Sequence, residues 1–255
     1  MTFEFDAEKY KKASTHQKEW GKKLISEINL KGRERILDLG CGDGGITAEL
    51  AELVPDGLVV GIDASRSMID SAEKTHKAQN LRFDLMDINK IDFENEFDVV
   101  FSNATLHWIK NHNKLLSNVC NALKAGGIVR FNFAGDGNCS TFYKVVCETM
   151  AEKKYAGYFN NFDWPWYMPT IEGYEKLLME SKFKETRVWG DGVDVECECG
   201  AAYEVSIDSS WAGWDVEIER TDLGIKKPET FQYKVEEDFG SLELDYTAEE
   251  EEWMA

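Results

Sequence analysis

The sequence predicts a doubly wound α/β fold, a mostly parallel sheet with helices on both faces, followed by a β-rich acidic C-terminal extension. Three observations predict it. Short apolar runs alternate with helix-periodic segments over residues 8–190. A glycine-rich turn, Asp38-Leu39-Gly40-Cys41-Gly42-Asp43-Gly44-Gly45, joins the first apolar run to the next helix. From residue 192 the pattern changes to strict apolar/polar alternation. Repeated β-then-α units demand parallel strands with crossover helices, whereas strict alternation marks half-buried strands.

The elements follow in order. Residues 8–28 read as helix, with Trp20, Leu24 and Ile28 at helical spacing. RILDL (35–39) is a strand that stops at glycines, and ITAELAEL (46–53) a helix. LVVGID (58–63), LRFDLM (81–86) and FDVVFSN (97–103) are strands, with SMIDSAEKTHKA (67–78) a helix after the first of them. NKLLSNVCNALK (113–124) is helical and is expected to end at a glycine stop, Ala125-Gly126-Gly127, before the strand GIVRFNFA (127–134). FNNFDWPWYMP (159–169) breaks the alternation with two of the four prolines and a dense aromatic cluster. TIEGYEKLLMESKF (170–183) reads as helix and ETRVWG (185–190) as strand, with Asp191-Gly192 a hairpin turn. Beyond it, residues 193–199, 203–208, 214–219, 231–235 and 242–246 alternate as strands do.

Composition bounds the function. With 255 residues, 43% hydrophobic and 30% charged, the chain has the make-up of a globular protein. Its net charge of −19, from 29 basic and 48 acidic residues, repels phosphate backbones and anionic membranes, so no nucleic-acid or membrane partner is expected. The charge is uneven. Residues 192–255 hold 19 acidic and 4 basic residues, a net of −15, which places a boundary between a main domain, 1–191, and an acidic extension, 192–255, that could include the last strand of the main sheet. No run approaches the roughly 20 apolar residues of a membrane span, and the N-terminus lacks a signal-peptide pattern. A cytoplasmic location with reduced thiols is expected. Cys197 and Cys199 supply only two ligands where a closed zinc site needs about four, so no metal is expected.

The chemistry begins at the glycine turn. Gly40, Gly42 and Gly45 satisfy G-x-G-x-x-G, and Asp63 closes the next strand, as in a dinucleotide-binding fold. Two carboxylates argue otherwise. A pyrophosphate on a helix N-terminus does not tolerate Asp38 just before the turn or Asp43 within it. Asp38 suits a ligand with an ammonium group and no phosphate, as S-adenosylmethionine is. Asp63 suits two ribose hydroxyls, since a carboxylate accepts both hydrogen bonds.

ILDLGCGDG, VVGIDAS, DLMDI, FDVVFSNATLHWI and LKAGG, in this order and spacing, resemble the motifs of class I S-adenosylmethionine-dependent methyltransferases, over about residues 8–190. The resemblance implies a Rossmann-like, seven-stranded, mostly parallel sheet with S-adenosyl-L-methionine as cofactor and S-adenosyl-L-homocysteine as product. It implies that Asp38 and the backbone of Gly40, Cys41 and Gly42 hold the methionine end, and Asp63 the ribose. Ala64 and Met68 would flank the adenine, Asp87 would meet its amino group and Ile88 its ring, and Asn103 would lie under the cofactor facing the acceptor. Tyr10-x-x-x-Ser14-x-x-Gln17 and Asn103-Ala104-Thr105-Leu106-His107-Trp108 resemble, more closely, the carboxyl methyltransferases of small molecules, those of trans-aconitate, malonyl carrier protein and juvenile hormone acid. By that likeness Tyr10 and Gln17 close over cofactor and acceptor, and Trp108 lines the acceptor pocket. The chain from Gly192 departs from the pattern, where a helical insertion and a last strand would stand.

A carboxylate acceptor is ionised at pH 7 and needs no general base, only orienting donors, for which Gln17, Trp108 and His107 are suited. A hydroxyl acceptor would need a base, for which His107 or His16 could serve. Phe159, Phe162, Trp164, Trp166 and Tyr167 could fold over the cofactor mouth as an apolar lid, with Trp164, Trp166 and Tyr167 as acceptor-binding residues. The expected activity is methyl transfer to a small-molecule acceptor, a carboxylic acid or an acyl-carrier thioester, at a carboxylate oxygen. The alternatives are an N- or O-methyltransferase with a histidine base acting on another metabolite or protein, and a non-catalytic binding module whose acidic extension is the working surface. A nicotinamide oxidoreductase is disfavoured by Asp38.

Overall fold

The computed structural model describes residues 15–183, 186–188, 190–191 and 207–208. Five strands form one sheet: β1 (Arg35–Leu39), β2 (Leu58–Asp63), β3 (Leu81–Leu85), β4 (Phe97–Asn103) and β5 (Leu123–Asn132). Their order across the sheet is β3-β2-β1-β4-β5, and every pairing is parallel. The helices are α1 (Thr15–Ser26), α2 (Gly45–Leu53), α3 (Arg66–Thr75), α4 (His112–Ala122), α5 (Ser140–Ala151) and α6 (Ile171–Met179). The chain winds outward from β1 to β3 and then returns to place β4 on the other side of β1. At that reversal the loops after β1 and β4 lead away in opposite directions, the position at which open α/β sheets bind ligands.

Strand alternation decides what each face carries. Ile36, Val59, Val99 and Phe101 point to one face, where they are covered by Leu24 and Ile25 of α1 and Leu50 and Ala51 of α2. Leu37, Leu39, Val60, Ile62, Val100 and Phe131 point to the other, against Leu115, Leu116 and Val119 of α4 and Tyr174 and Leu178 of α6. Both faces are covered, so the inner strands read as near-continuous apolar runs. Each large side chain buried this way contributes about 1.5–3 kcal/mol. Asp38 is the polar exception in β1, only 2% exposed on the α2 face.

A buried polar pair ties the far helices to the end of β4. His112, at the start of α4, is 3% exposed. Its Nε2 lies 3.0 Å from the carbonyl of Leu106, which can only accept, so Nε2 carries the proton. Nδ1 therefore accepts from the Tyr174 hydroxyl at 3.0 Å. Burial pushes the imidazole down to about 4, so it is neutral at pH 7.

One expectation needs correction, and others are met only in part among the described residues. The helix over 113–124 does not end at Gly126-Gly127: α4 ends at Ala122, and Leu123 already pairs with Phe97 of β4. The next matched pair is Val99 with Ile128, so Lys124–Gly127 stand against Asp98 alone, an enlarged bulge that Gly126 turns at φ +80°. Of seven expected strands, five form the main sheet among the described residues. Residues 186–188 of the expected strand 185–190 form none, although Val188 is buried in the core beside α4 and α6. Gly190–Asp191 pair in parallel with Ile207–Asp208, and the hairpin expected at Asp191-Gly192 would continue outside the described residues. The other expected strands of the extension lie outside the described residues, as do Cys197 and Cys199. No described helix is long and apolar enough to cross a membrane.

Tyr174→Phe removes the hydroxyl that His112 Nδ1 depends on and leaves a buried acceptor unmet. The variant is expected to lose about 1–3 kcal/mol in urea unfolding. An unchanged midpoint would mean that Nδ1 finds another donor.

Candidate active site

The site is built where β1 and β4 end. Gly40 sits at φ +76°, and a Cβ there would fall 2.2 Å from Thr105 Cγ2. Thr105 occupies the space a side chain would need, and its hydroxyl stands 3.2 Å from both the Gly40 and the Asn103 carbonyls, which share its one proton. One layer below, the buried Ser102 hydroxyl donates to the Leu39 carbonyl at 2.7 Å. Ala104, between β4 and Thr105, is held at φ +55°, a costly conformation for a residue with a Cβ. Its N–H donates to the Asn132 carbonyl at 2.7 Å, which locks the turn to β5.

The glycine loop bonds to itself. Gly40 and Cys41 donate to the Ile62 carbonyl at 2.8 and 3.0 Å, and Gly44 to the Cys41 carbonyl at 3.0 Å. Gly42 donates to Asp63 Oδ2 at 3.1 Å, and Gly45 to Asp43 Oδ1 at 3.3 Å. Asp43 thus holds the first N–H of α2, where a dinucleotide fold places its pyrophosphate. These N–H groups are committed and the side chains beside them are acids, a poor fit for a phosphate.

The same donor set fits a cationic nucleoside. Asp38 is held by the Thr47 hydroxyl of α2 at 2.7 Å. Burial pushes its carboxyl up to about 7, with Asp63 adding to the rise and the Thr47 bond opposing it. A buried acid so poised gains from an ammonium partner. Asp63, half-buried at the end of β2, accepts the Gly42 N–H on one oxygen and the Ser65 N–H, at 2.8 Å, on the other. Ser65, not Asp63, caps α3. A carboxylate at the end of β2 has the acceptor chemistry that a pair of hydroxyls requires.

Of the other residues expected around the cofactor, Ala64 is exposed, Met68 is buried at 3%, and Ile88 packs into the core at 5%. Asp87 caps the short turn Ile88–Lys90 by accepting from Asn89 N–H at 2.9 Å. Asn103 ends β4 beneath α1, where a Cβ on Gly21 would come within 3.3 Å of its Nδ2 and 2.5 Å of Ile46 Cδ1. Gly21 thus lets α1 press onto the end of β4. Gln17 and His16 lie in α1, with their side chains outside the described residues, and Tyr10 falls outside them altogether.

Beyond β4, Leu106–Trp108 form a single turn that follows Thr105. His107 is 6% exposed, and its Nδ1 accepts the Ala134 N–H at 3.4 Å. Burial pushes its imidazole down to about 4, with His112 adding to the effect. Trp108 meets Trp166 edge to face at 5.8 Å between ring centroids. Trp166 in turn lies 5.5 Å from Trp164. Tyr167 separates from these two: its ring stands 4.6 Å from His112, on the core side, while its N–H donates to the His107 carbonyl at 2.7 Å. Of the three residues expected to bind acceptor, the structure groups Trp164 and Trp166 with Trp108, and Tyr167 with the core.

Sequence reasoning missed Tyr143 of α5, whose ring packs at 4.6 Å from Trp164 and 5.5 Å from Trp166. It also missed Thr47 and Thr105. Thr105 stood within a quoted motif, whereas nothing in the local pattern marks Tyr143 or Thr47.

A methyltransferase-domain family profile matches residues 30–185. A malonyl-[acyl-carrier protein] O-methyltransferase of Bacillus cereus is 33% identical over 130 residues, 49% of this chain and 48% of that one. The juvenile hormone acid O-methyltransferase of Bombyx mori is 29% identical over 204 residues, covering 76% of this chain and 71% of that one. Among solved structures, phosphoethanolamine N-methyltransferase 2 of Haemonchus contortus, in complex with S-adenosyl-L-methionine, superposes with a TM-score of 0.54 at 26% identity, over 68% of this chain and 38% of that one. The chain spans about half the length of the curated malonyl-[acyl-carrier protein] relatives it matches. The fold and the match over residues 30–185 define the class: the chain belongs to the methyltransferase-domain family, that of the class I S-adenosylmethionine-dependent methyltransferases.

Gly40→Ala is expected to cost at least about 2 kcal/mol, because the left-handed backbone alone costs roughly 1–2 kcal/mol and Thr105 must also move. Thermal unfolding checks it. Asp38 gives a pH dependence with a defined sign. Its folded carboxyl keeps a proton that the unfolded chain has lost, so the free protein gives up stability as pH rises from 3.8 to about 7. An ammonium ligand selects the ionised form. Affinity for S-adenosylhomocysteine is therefore expected to weaken below pH 7, approaching tenfold per unit. In Asp38→Asn it should be flat with pH and about 10- to 100-fold weaker than wild type at pH 7.5. Calorimetric titration at several pH values checks both.

Proposed function

We propose that the protein transfers a methyl group from S-adenosylmethionine to a carboxylate oxygen of a small-molecule acid. The observation that carries this reading is the state of the histidines that follow β4. Burial holds His107 and His112 at about 4; both ring nitrogens of His112 are engaged, by Leu106 and Tyr174, and His107 Nδ1 is engaged by Ala134. A base this weak and this enclosed is mismatched to a hydroxyl or ammonium proton at neutral pH. A carboxylate needs no base. Relatives named for malonyl-[acyl-carrier protein] and for juvenile hormone acid support the same choice.

When bound, the donor supplies an electrophilic methyl: a carboxylate lone pair forms the new O–C bond, the S–C pair returns to sulfur, and no proton moves. The chain's own contribution is placement and exclusion of water. Asp38 would take the ammonium end of the donor and Asp63 its ribose hydroxyls, so that the donor is held at both ends. Thr105 sets the height of the turn that bears Trp108. Trp108, Trp164 and Trp166 shield the acceptor from water, so its charge is less solvated and more nucleophilic. Orientation of this kind is worth up to roughly 7–11 kcal/mol.

The test is transfer of labelled methyl from S-adenosylmethionine to acetate, hexanoate, decanoate, succinate, phenylacetate and cinnamate, beside the matching alcohols and amines. Label is expected in an alkali-labile ester of at least one acid, at a rate that does not climb between pH 7 and 9. Alkali-stable label on an alcohol or amine, or a rate that climbs with pH, would sink the carboxylate reading.

A further inference from the structure

Trp166 carries an unmet donor. Its indole Nε1 is buried and makes no hydrogen bond among the described residues. The ring is nevertheless firmly placed. The next residue, Tyr167, donates its N–H to the His107 carbonyl at 2.7 Å, and the Asp136 N–H bonds the Pro169 carbonyl at 2.9 Å. Trp108 and Tyr143 stand nearly perpendicular to the indole, at 79° and 80°, and Trp164 lies beside it at 33°. The Trp108 end of this recess is three residues from Thr105, which touches Gly40.

We infer that Trp166 Nε1–H is the donor that takes one oxygen of the acceptor carboxylate, in the aromatic recess formed by Trp108, Trp164 and Tyr143. This rests on the carboxylate reading above and names the group that enforces it. An indole N–H can only donate, so it meets an oxygen and turns away an ammonium, which also only donates. It is uncharged, so it orients the carboxylate without neutralising it, and the second oxygen stays nucleophilic. The rings around it leave the bond no competition from water. Outward of the recess, Phe162 packs at 5.1 Å from Trp164 and is 47% exposed, so the group attached to the carboxylate meets an aromatic surface. The competing explanation is an N–H···π contact with Trp108 or Tyr143.

The test uses the full chain, labelled with 15N at indole, saturated with S-adenosylhomocysteine, and any acid of the panel that accepts label. The Trp166 signal is assigned by its absence in Trp166→Phe. On addition of the acid the indole proton is expected to move downfield, and the matching alcohol and amine should leave it in place. Trp166→Phe is expected to weaken the acid about 10- to 100-fold, as loss of a hydrogen bond to a charged group does, while S-adenosylhomocysteine still binds within about twofold, which shows that the variant is folded. An acid that is methylated without moving the indole signal, or that keeps its KM in Trp166→Phe, overturns this inference and leaves the carboxylate reading standing. If no acid accepts label and an amine or alcohol does, the carboxylate reading itself has failed, and this inference with it.

Discussion

The contact between Thr105 and the bare face of Gly40 joins the two halves of the site. Strand order brings the ends of β1 and β4 side by side, but order alone would leave two independent loops. Because residue 40 has no Cβ, the threonine can close down on it and bond its carbonyl. From that point the chain has little freedom. Ala104 is forced into the left-handed region, and the Leu106–Trp108 turn starts at a fixed height. His112 then holds the Leu106 carbonyl, and Tyr174 holds His112. The Trp108–Trp166 pair is thus placed by a chain of contacts that begins at the glycine loop.

Charge explains why a fold shared with dinucleotide enzymes suits a different ligand. Phosphate sites present free N–H groups at a helix start. Here Asp43 and Asp63 take the N–H groups of Gly45 and Gly42, and the Ile62 carbonyl takes two more. What remains at the ends of β1 and β2 is carboxylate. Asp38 sits in a strand position that alternation assigns to the core, and it is kept there by one hydroxyl bond. Burial favours the protonated form of that acid, and a positive neighbour would favour the ionised one.

Local periodicity made much of the fold legible. β4 was read to the residue as 97–103, because a strand covered on both faces is a continuous apolar run bounded by polar turns. The helix before β5 was read two residues too long, because Gly126-Gly127 resembles a helix stop. Only the pairing of Leu123 with Phe97 identifies it as a bulge, and that pairing is a long-range fact. At the site, Asp38, Asp63 and the glycines were legible because their chemistry demands specific residue types at fixed spacing. Tyr143 was not, since an aromatic residue on a helix looks the same whether it faces a core or another segment's tryptophans. Tyr167 was grouped with Trp164 and Trp166 by composition, while the backbone bond at His107 turns its ring toward His112.

The self-bonded glycine loop also has a kinetic meaning. A loop whose N–H groups are already paired has nothing to fold when a ligand arrives, so its ordering cannot be the slow step of exchange. The aromatic segment and α5 are different. No described side chain of α5 is fully buried, and Tyr158, Phe159 and Phe162 beyond it are exposed. A segment with so few core contacts opens at lower cost than the sheet beneath it. On opening, the aromatic segment of residues 158–162 is therefore expected to part from the molecule before the glycine loop and the strands that carry it.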